Sequence, residues 1–225
     1  MHTQRAFTAS GFANWVFMKE VGVRRRPTTV RDSSHPGLYV QSDFDQEEIR
    51  KRLGYLAHYD IEEMRRSHFK PKWRVFDKAL WSVDYCDTGD ESEILSCSRL
   101  THRLDGRKLR GKPDIVFVNE STSHAIIVER KTTNKSRDEL LHGTSDPSTW
   151  PNCWAQLWAY AHLDRYEKFR ALTLVFQPWH TDELGYLSMG HVIERDYSSG
   201  SSFDLENLRR FEAFGGVRAT TREAD

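Results

Sequence analysis

Two apolar runs separated by a short polar break constrain this chain more than any other feature. Ile115-Val116-Phe117-Val118 and Ala125-Ile126-Ile127-Val128 are bounded by turn-forming residues and read as adjacent β-strands. Strand side chains alternate faces, so Glu129 and Lys131 share a face with Ala125 and Ile127. If the runs fold back antiparallel around Asn119 to His124, a register with Val118 opposite Ala125 also sets Asp114 opposite Glu129. Two carboxylates on one face repel unless a cation joins them. A small set of hard oxygen ligands suits Mg²⁺ or Mn²⁺ kept partly hydrated. Lys131 adds a positive charge beside the metal-bound water, an arrangement suited to phosphodiester hydrolysis.

Composition bounds the partners. The chain has 225 residues, 38% of them hydrophobic, enough for one domain with a sizeable core. Lys plus Arg and Asp plus Glu are each 33, giving zero formal net charge, so no global field draws the chain toward nucleic acid. Any such affinity must be local. Cys86, Cys97 and Cys153 form an odd, widely spaced set, which fits a reduced intracellular, cytoplasmic protein better than a disulfide framework. They also fall short of four-cysteine ligation, so no iron–sulfur cluster is expected. No apolar stretch approaches the roughly 18 residues of a membrane span, and no secretory signal is visible. A soluble protein without a membrane partner is expected.

Residues 1–41 read as a basic N-terminal extension carrying Arg24-Arg25-Arg26 and Arg31. A phosphate-touching arm, an organelle transit peptide and a solvated extension packed through Phe12, Trp15 and Phe17 are the alternatives. Residues 42–216 read as a single domain and 217–225 as a mobile tail. Asp43 as N-cap with Ile49, Leu53, Leu56 and Ala57 predicts a helix to about His58, and Trp73, Phe76, Leu80 and Trp81 a second. After the acidic break Asp87 to Glu91, Ile94 to Leu104 reads as a strand. Asp105-Gly106 turns it into a return strand, Arg107 to Lys112, that delivers Asp114. Arg103, Arg107, Lys108, Arg110 and Lys112 make this hairpin basic, either to follow a polyanion or to protect an edge strand.

Thr132 to Trp150 reads as a loop able to move over the site. Pro151 then opens a helix in which Trp154, Leu157, Trp158 and Ala161 make a buried stripe. Gln156 and Tyr160, at i and i+4, stack along its edge. Leu172 to Phe176 and Tyr186 to Ile193 read as two strands joined by a turn at His180 to Glu183. Ser201 or Ser202 caps a last helix, with Leu205, Leu208 and Phe211 inward and Gly215-Gly216 at its end.

Pro113-Asp114 followed one strand later by Glu129-Arg130-Lys131 resembles the PD-(D/E)XK nuclease superfamily. Gln156-Leu157-Trp158-Ala159-Tyr160 downstream is similar to the Q-x-x-x-Y helix of its RecB-type exonuclease branch. The resemblance covers about residues 94–194 and implies an α/β, restriction-endonuclease-like core: a mixed central β-sheet flanked by α-helices. It implies that Asp114, Glu129 and the Arg130 carbonyl hold one or two Mg²⁺ or Mn²⁺ ions while Lys131 orients the attacking water. By the same resemblance Gln156 orients that water or the scissile phosphate, and Tyr160 packs beneath the site or contacts nucleic acid. The upstream metal-binding His of some members stays open between His58 and His68, and no ligand spacing singles out His102 or His124.

The expectation is a metal-dependent nuclease acting on DNA with low sequence specificity, with exonuclease action preferred and RNA as the other substrate. Arg107, Lys108, Arg110 and Tyr160 are its candidate nucleic-acid contacts. The competing readings are a non-catalytic nucleic-acid-binding module, an RNA-directed endonuclease of the same fold, and a protein-interaction subunit. Oligomeric state is left open.

Overall fold

The computed structural model of the chain describes residues 7–20, 80–87, 93–100, 108–133, 150–181, 187–189 and 191–220. Its centre is a strand pair that the apolar runs dictate. β5 (Ile115–Asn119) and β6 (His124–Thr133) pair antiparallel with Val118 opposite Ala125, the register expected from the sequence. Both faces of this pair are buried. A slip of one residue would exchange Glu129 with Arg130 across the sheet.

Around that pair a six-stranded sheet forms. β2 (Ser82–Cys86) lies antiparallel to β5, and β7 (Ala171–Thr181) lies parallel to β6. Parallel neighbours need a crossover, which α2 (Pro151–Ala161) supplies. β8 (Leu187–Met189) and β9 (Ile193–Tyr197) both pair antiparallel with the outer side of β7. A smaller sheet has the order β1-β4-β3, from β1 (Phe7–Thr8), β4 (Leu109–Gly111) and β3 (Leu95–Cys97).

Helix α1 (Ala9–Glu20), α2 and α3 (Ser202–Thr220) join one face of the large sheet. Phe12 of α1 meets Trp158 of α2 and Phe211 of α3 at ring separations of 5.8 and 5.1 Å. Val116, Val118, Ala125 and Ile127 line this face. Ile115, Phe117, Ile126, Val128 and Val175 form a separate cluster on the other. The architecture is thus α/β, with mixed sheets flanked by helices.

Several expectations need correction. Phe7–Glu20 belong to the core: Phe7 pairs with Leu109, Phe12 and Val16 are fully buried, and Thr8 Oγ1 caps α1 by accepting the Gly11 N–H at 3.0 Å. The boundary expected at residue 41 therefore does not mark where the core begins. The second expected helix does not reach Trp81, because Leu80 lies in a turn and β2 starts at Ser82. The helix expected at 43–58, the loop 134–149 and the Asp105-Gly106 turn lie outside the described residues.

The strand expected from Ile94 stops at Cys97, where the Ser98 N–H and Oγ donate to the Asp164 carboxylate at 2.7 and 2.8 Å and turn the chain away. The return strand does pair antiparallel, with Cys97 opposite Leu109. β7 runs on to Thr181, taking in the first two residues of the expected turn, and Asp182 and Glu183 lie outside the described residues. Pro178, which has no N–H to give, sits where the outer partner changes from β9 to β8. The single strand expected over 186–193 is accordingly two. α3 continues through Gly215-Gly216, and Leu205 is exposed on it.

The start of α3 is tied down by one carboxylate. Ser201 Oγ accepts the Asp204 N–H at 3.2 Å. Asp204, only 6% exposed, accepts from Trp158 Nε1, Tyr197 Oη and the Gly200 N–H at 2.7 to 2.8 Å. Burial alone would raise its pKa, but these bonds and the nearby His162 ring hold it well below the usual carboxylate range. Asp204→Ala should lower the unfolding free energy by about 3 kcal/mol, because buried donors lose a charged acceptor. A folded pKa below the unfolded one supplies stability that is present above about pH 4 and lost as pH falls toward the folded value. Urea titrations from pH 7 to pH 2 should show this decline in the native chain and a flatter profile in Asp204→Asn.

Candidate active site

The face that α2 covers is also the face on which the strand pair presents its carboxylates. Asp114 immediately precedes β5 and has the parity of Val116 and Val118, while Glu129 continues the parity of Ala125 and Ile127. The backbone ladder ends at the Ile115–Val128 pair. One step beyond it, Asp114 Oδ2 accepts the Arg130 N–H. The Asp114 carbonyl accepts the Asp87 N–H at 2.9 Å. Asp114 is therefore fixed by its backbone and its side chain together.

Glu129 is 1% exposed. Its Oε1 pairs with Lys131 Nζ, two residues along the same face. Its Oε2 is buried and accepts no hydrogen bond. Burial first, and the neighbouring Asp114 second, push the Glu129 carboxyl up to about 8, with Lys131 and the Tyr160 hydroxyl opposing. Asp114 is raised as well, by burial, against the pull of Lys131 and the Arg130 N–H. Burial pulls the Lys131 pKa down, but Glu129 and Asp114 outweigh it and hold the ammonium charged. Two acids and one ammonium crowd a water-poor site. A cation would relieve the repulsion and give Glu129 Oε2 a partner.

The two carboxylates, Asp114 and Glu129, are oxygen donors of the kind that a hard divalent metal takes together with water. Among the described residues no cluster of three His, Cys, Asp or Glu could hold a metal ion. The Arg130 side chain does not join the set. It projects to the opposite face, where its Nε donates to Gln177 Oε1 at 2.8 Å.

Helix α2 walls the site. Every residue of it except Asn152 is buried, so the expected stripe widens to the whole helix. Gln156 Nε2 donates to Tyr160 Oη at 2.6 Å and lies 3.5 Å from Ser10 Oγ on α1. Tyr160 Oη donates to the Lys112 carbonyl at 2.8 Å. At 1% exposure Tyr160 offers no surface to nucleic acid. Its ring packs in the core and its hydroxyl meets Gln156 and the Lys112 carbonyl. Lys108 and Arg110 are exposed on and beside β4. Lys112 is partly buried and lies 3.9 Å from Asp87. Arg107, His58, His68 and His102 lie outside the described residues. His124 stands at the far end of β6, bonded to Thr173 Oγ1 at 2.8 Å and set against Trp81.

Sequence reasoning missed Ser10, Gly111 and Cys153. Ser10 sits in a segment read as an appendage. Cys153, in the first turn of α2, is buried beside the acids, and burial is the chief cause that pushes its thiol up to about 12. Gly111 had a legible signal, since a glycine ending a strand often marks a close approach. No family model and no curated protein matches the chain.

A Cβ on Gly111 would lie 2.6 Å from Tyr160 Cε1, closer than any real contact. The ring is held by its hydroxyl and by surrounding core, so Gly111→Ala should cost about 1–3 kcal/mol as an overpacked contact. Denaturant unfolding should show a lowered midpoint with unchanged slope. The same substitution in a Tyr160→Ala background should cost much less, because the ring is gone and only the contact with Ala9 Cβ at 3.3 Å is left.

Proposed function

We propose that the chain is a Mg²⁺- or Mn²⁺-dependent deoxyribonuclease of the RecB-type PD-(D/E)XK kind, an exonuclease with low sequence specificity. The observation that carries this reading is the buried, unpartnered Glu129 Oε2 beside Asp114 and Lys131. A mixed sheet whose parallel pair is bridged by α2 is compatible with the restriction-endonuclease-like core that the motifs imply. The free thiols of Cys86, Cys97 and Cys153 support a reducing, cytoplasmic setting.

Asp114, Glu129 and the Arg130 carbonyl would hold the metal, which when bound acidifies a coordinated water and neutralises charge growing on the phosphate. The protein's own groups do the rest. Lys131 keeps its ammonium charged next to the carboxylates, where it can orient a water and stabilise the extra negative charge of a pentacovalent phosphorus. The Arg130 N–H holds Asp114 in place, so no reorganisation is needed as charge develops. Helix α2 keeps bulk water from the rear of the site. Exposed Lys108 and Arg110 can meet backbone phosphates without reading bases, which is why low sequence specificity follows.

End-labelled and circular DNA, single- and double-stranded, incubated with Mg²⁺, Mn²⁺ or EDTA should show metal-dependent degradation of the linear forms and survival of the circles. Lys131→Ala and Asp114→Ala should each reduce the rate by at least about 100-fold while remaining folded. Cutting of circles would make the protein an endonuclease, and cleavage of RNA alone would move the substrate. DNA binding without cleavage under any metal would replace the enzyme reading with that of a binding module.

A further inference from the structure

We infer that Gln156 and Tyr160 are positioning residues whose hydrogen-bond relay anchors the Asp114 turn from beneath, and that the Gln156 amide protons do not serve water or phosphate. The inference rests on the proposed metal site, and it assigns these residues a role different from substrate contact.

Proton accounting carries it. A phenol has one proton; the Glu129 carboxylate is also near Tyr160 Oη, and the acceptor in hydrogen-bond geometry is the Lys112 carbonyl at 2.8 Å. The same oxygen must then accept from Gln156, 2.6 Å away, which fixes the amide with its NH₂ toward Tyr160. The second N–H of that group faces Ser10 Oγ at 3.5 Å. Both protons point into protein, and Gln156 is itself 5% exposed.

The far end of the relay explains its purpose. Lys112 is followed by Pro113, whose ring fixes its own φ and restricts the residue before it. An anchor on the Lys112 carbonyl is therefore passed stiffly to Asp114. Gly111 lets the Tyr160 ring come this close, since any side chain there would strike it. Asp114 in turn holds the Arg130 N–H. The chain of contacts runs from α1 through α2 to the β4–β5 turn and ends on β6. Its effect is to keep Asp114 and Glu129 on a common face at a constant separation.

The test uses Tyr160→Phe, Gln156→Leu and the double variant of the full chain, with two readouts. The first is amide exchange at Arg130 in metal-free protein, corrected for any change in global unfolding. Each single variant should speed it by about tenfold, because loosening the turn releases its acceptor. The second is Mn²⁺ affinity by calorimetry without DNA, which should weaken by about tenfold, as for other residues that orient metal ligands. The double variant should be no worse than Tyr160→Phe, since one relay is broken once. If Gln156→Leu leaves Arg130 exchange and Mn²⁺ affinity at wild-type values, or if the two substitutions multiply, the relay is wrong. Should Tyr160→Phe fail to fold, Gln156→Leu decides alone, because it keeps the phenol and removes the donor that orients its hydroxyl toward Lys112. Absence of Mn²⁺ binding by the wild-type chain would sink the nuclease reading, and Arg130 exchange would then judge the relay by itself.

Discussion

Burying the Glu129 carboxylate beside Asp114 is the constraint from which the rest of the structure can be understood. Removing an acid from water without full hydrogen bonding is costly, and here one oxygen pairs with Lys131 while the other, though buried, accepts no hydrogen bond. That cost has to be carried by cohesion elsewhere. The surrounding face supplies it: Ala125, Ile127, Val116 and Val118 from the strands, and almost every side chain of α2, are excluded from solvent. The aromatic contacts of Phe12, Trp158 and Phe211 bind three helices to the same side. A strained polar centre inside a heavily apolar layer is what a preorganised site requires, since donors and charges are then held before substrate arrives.

Strand parity divides the work between the two faces. Glu129 and Lys131 belong to the helix-covered face, and Arg130 between them reaches the other, where Gln177 at the matching position on β7 receives it. The Arg130 backbone meanwhile stays at the site, giving its N–H to Asp114. One residue thus braces two layers. Its guanidinium ties β6 to β7 while its amide ties β6 to the entry of β5.

How much of this was legible depended on sequence distance. The continuous apolar runs Ile115 to Val118 and Ala125 to Val128 revealed the pair, and placing Asp114 opposite Glu129 pointed to the register that forms. Pro151 and the aromatic stripe revealed α2 for an equally local reason. β2 stayed hidden because Leu80 and Trp81 beside it completed a helical spacing with Trp73 and Phe76, and the strand itself is short and carries a bulge between Val83 and Tyr85. The core position of Phe7 to Glu20 was masked by the basic residues that follow, and a strand of two residues has no periodicity to read. At the site, Asp114, Glu129 and Lys131 could be placed from spacing alone. The partners of Tyr160 could not, since Lys112 lies 48 residues away and only the folded α2 brings it near.

The same distinction bears on what Gln156 and Tyr160 do. From sequence, two polar residues at i and i+4 on an apolar helix suggest groups turned toward a cleft. Packing reverses that: the helix is buried all round, so the pair faces protein and must be satisfied by protein. A tyrosine hydroxyl in that position can take one donor and one acceptor, and it finds both in Gln156 and the Lys112 carbonyl. Polar residues retained on such a helix, where apolar ones of similar volume would pack without needing partners, are best explained by the geometry they impose. Here the geometry is that of the turn carrying Asp114, which joins the burial of α2 to the spacing of the two carboxylates.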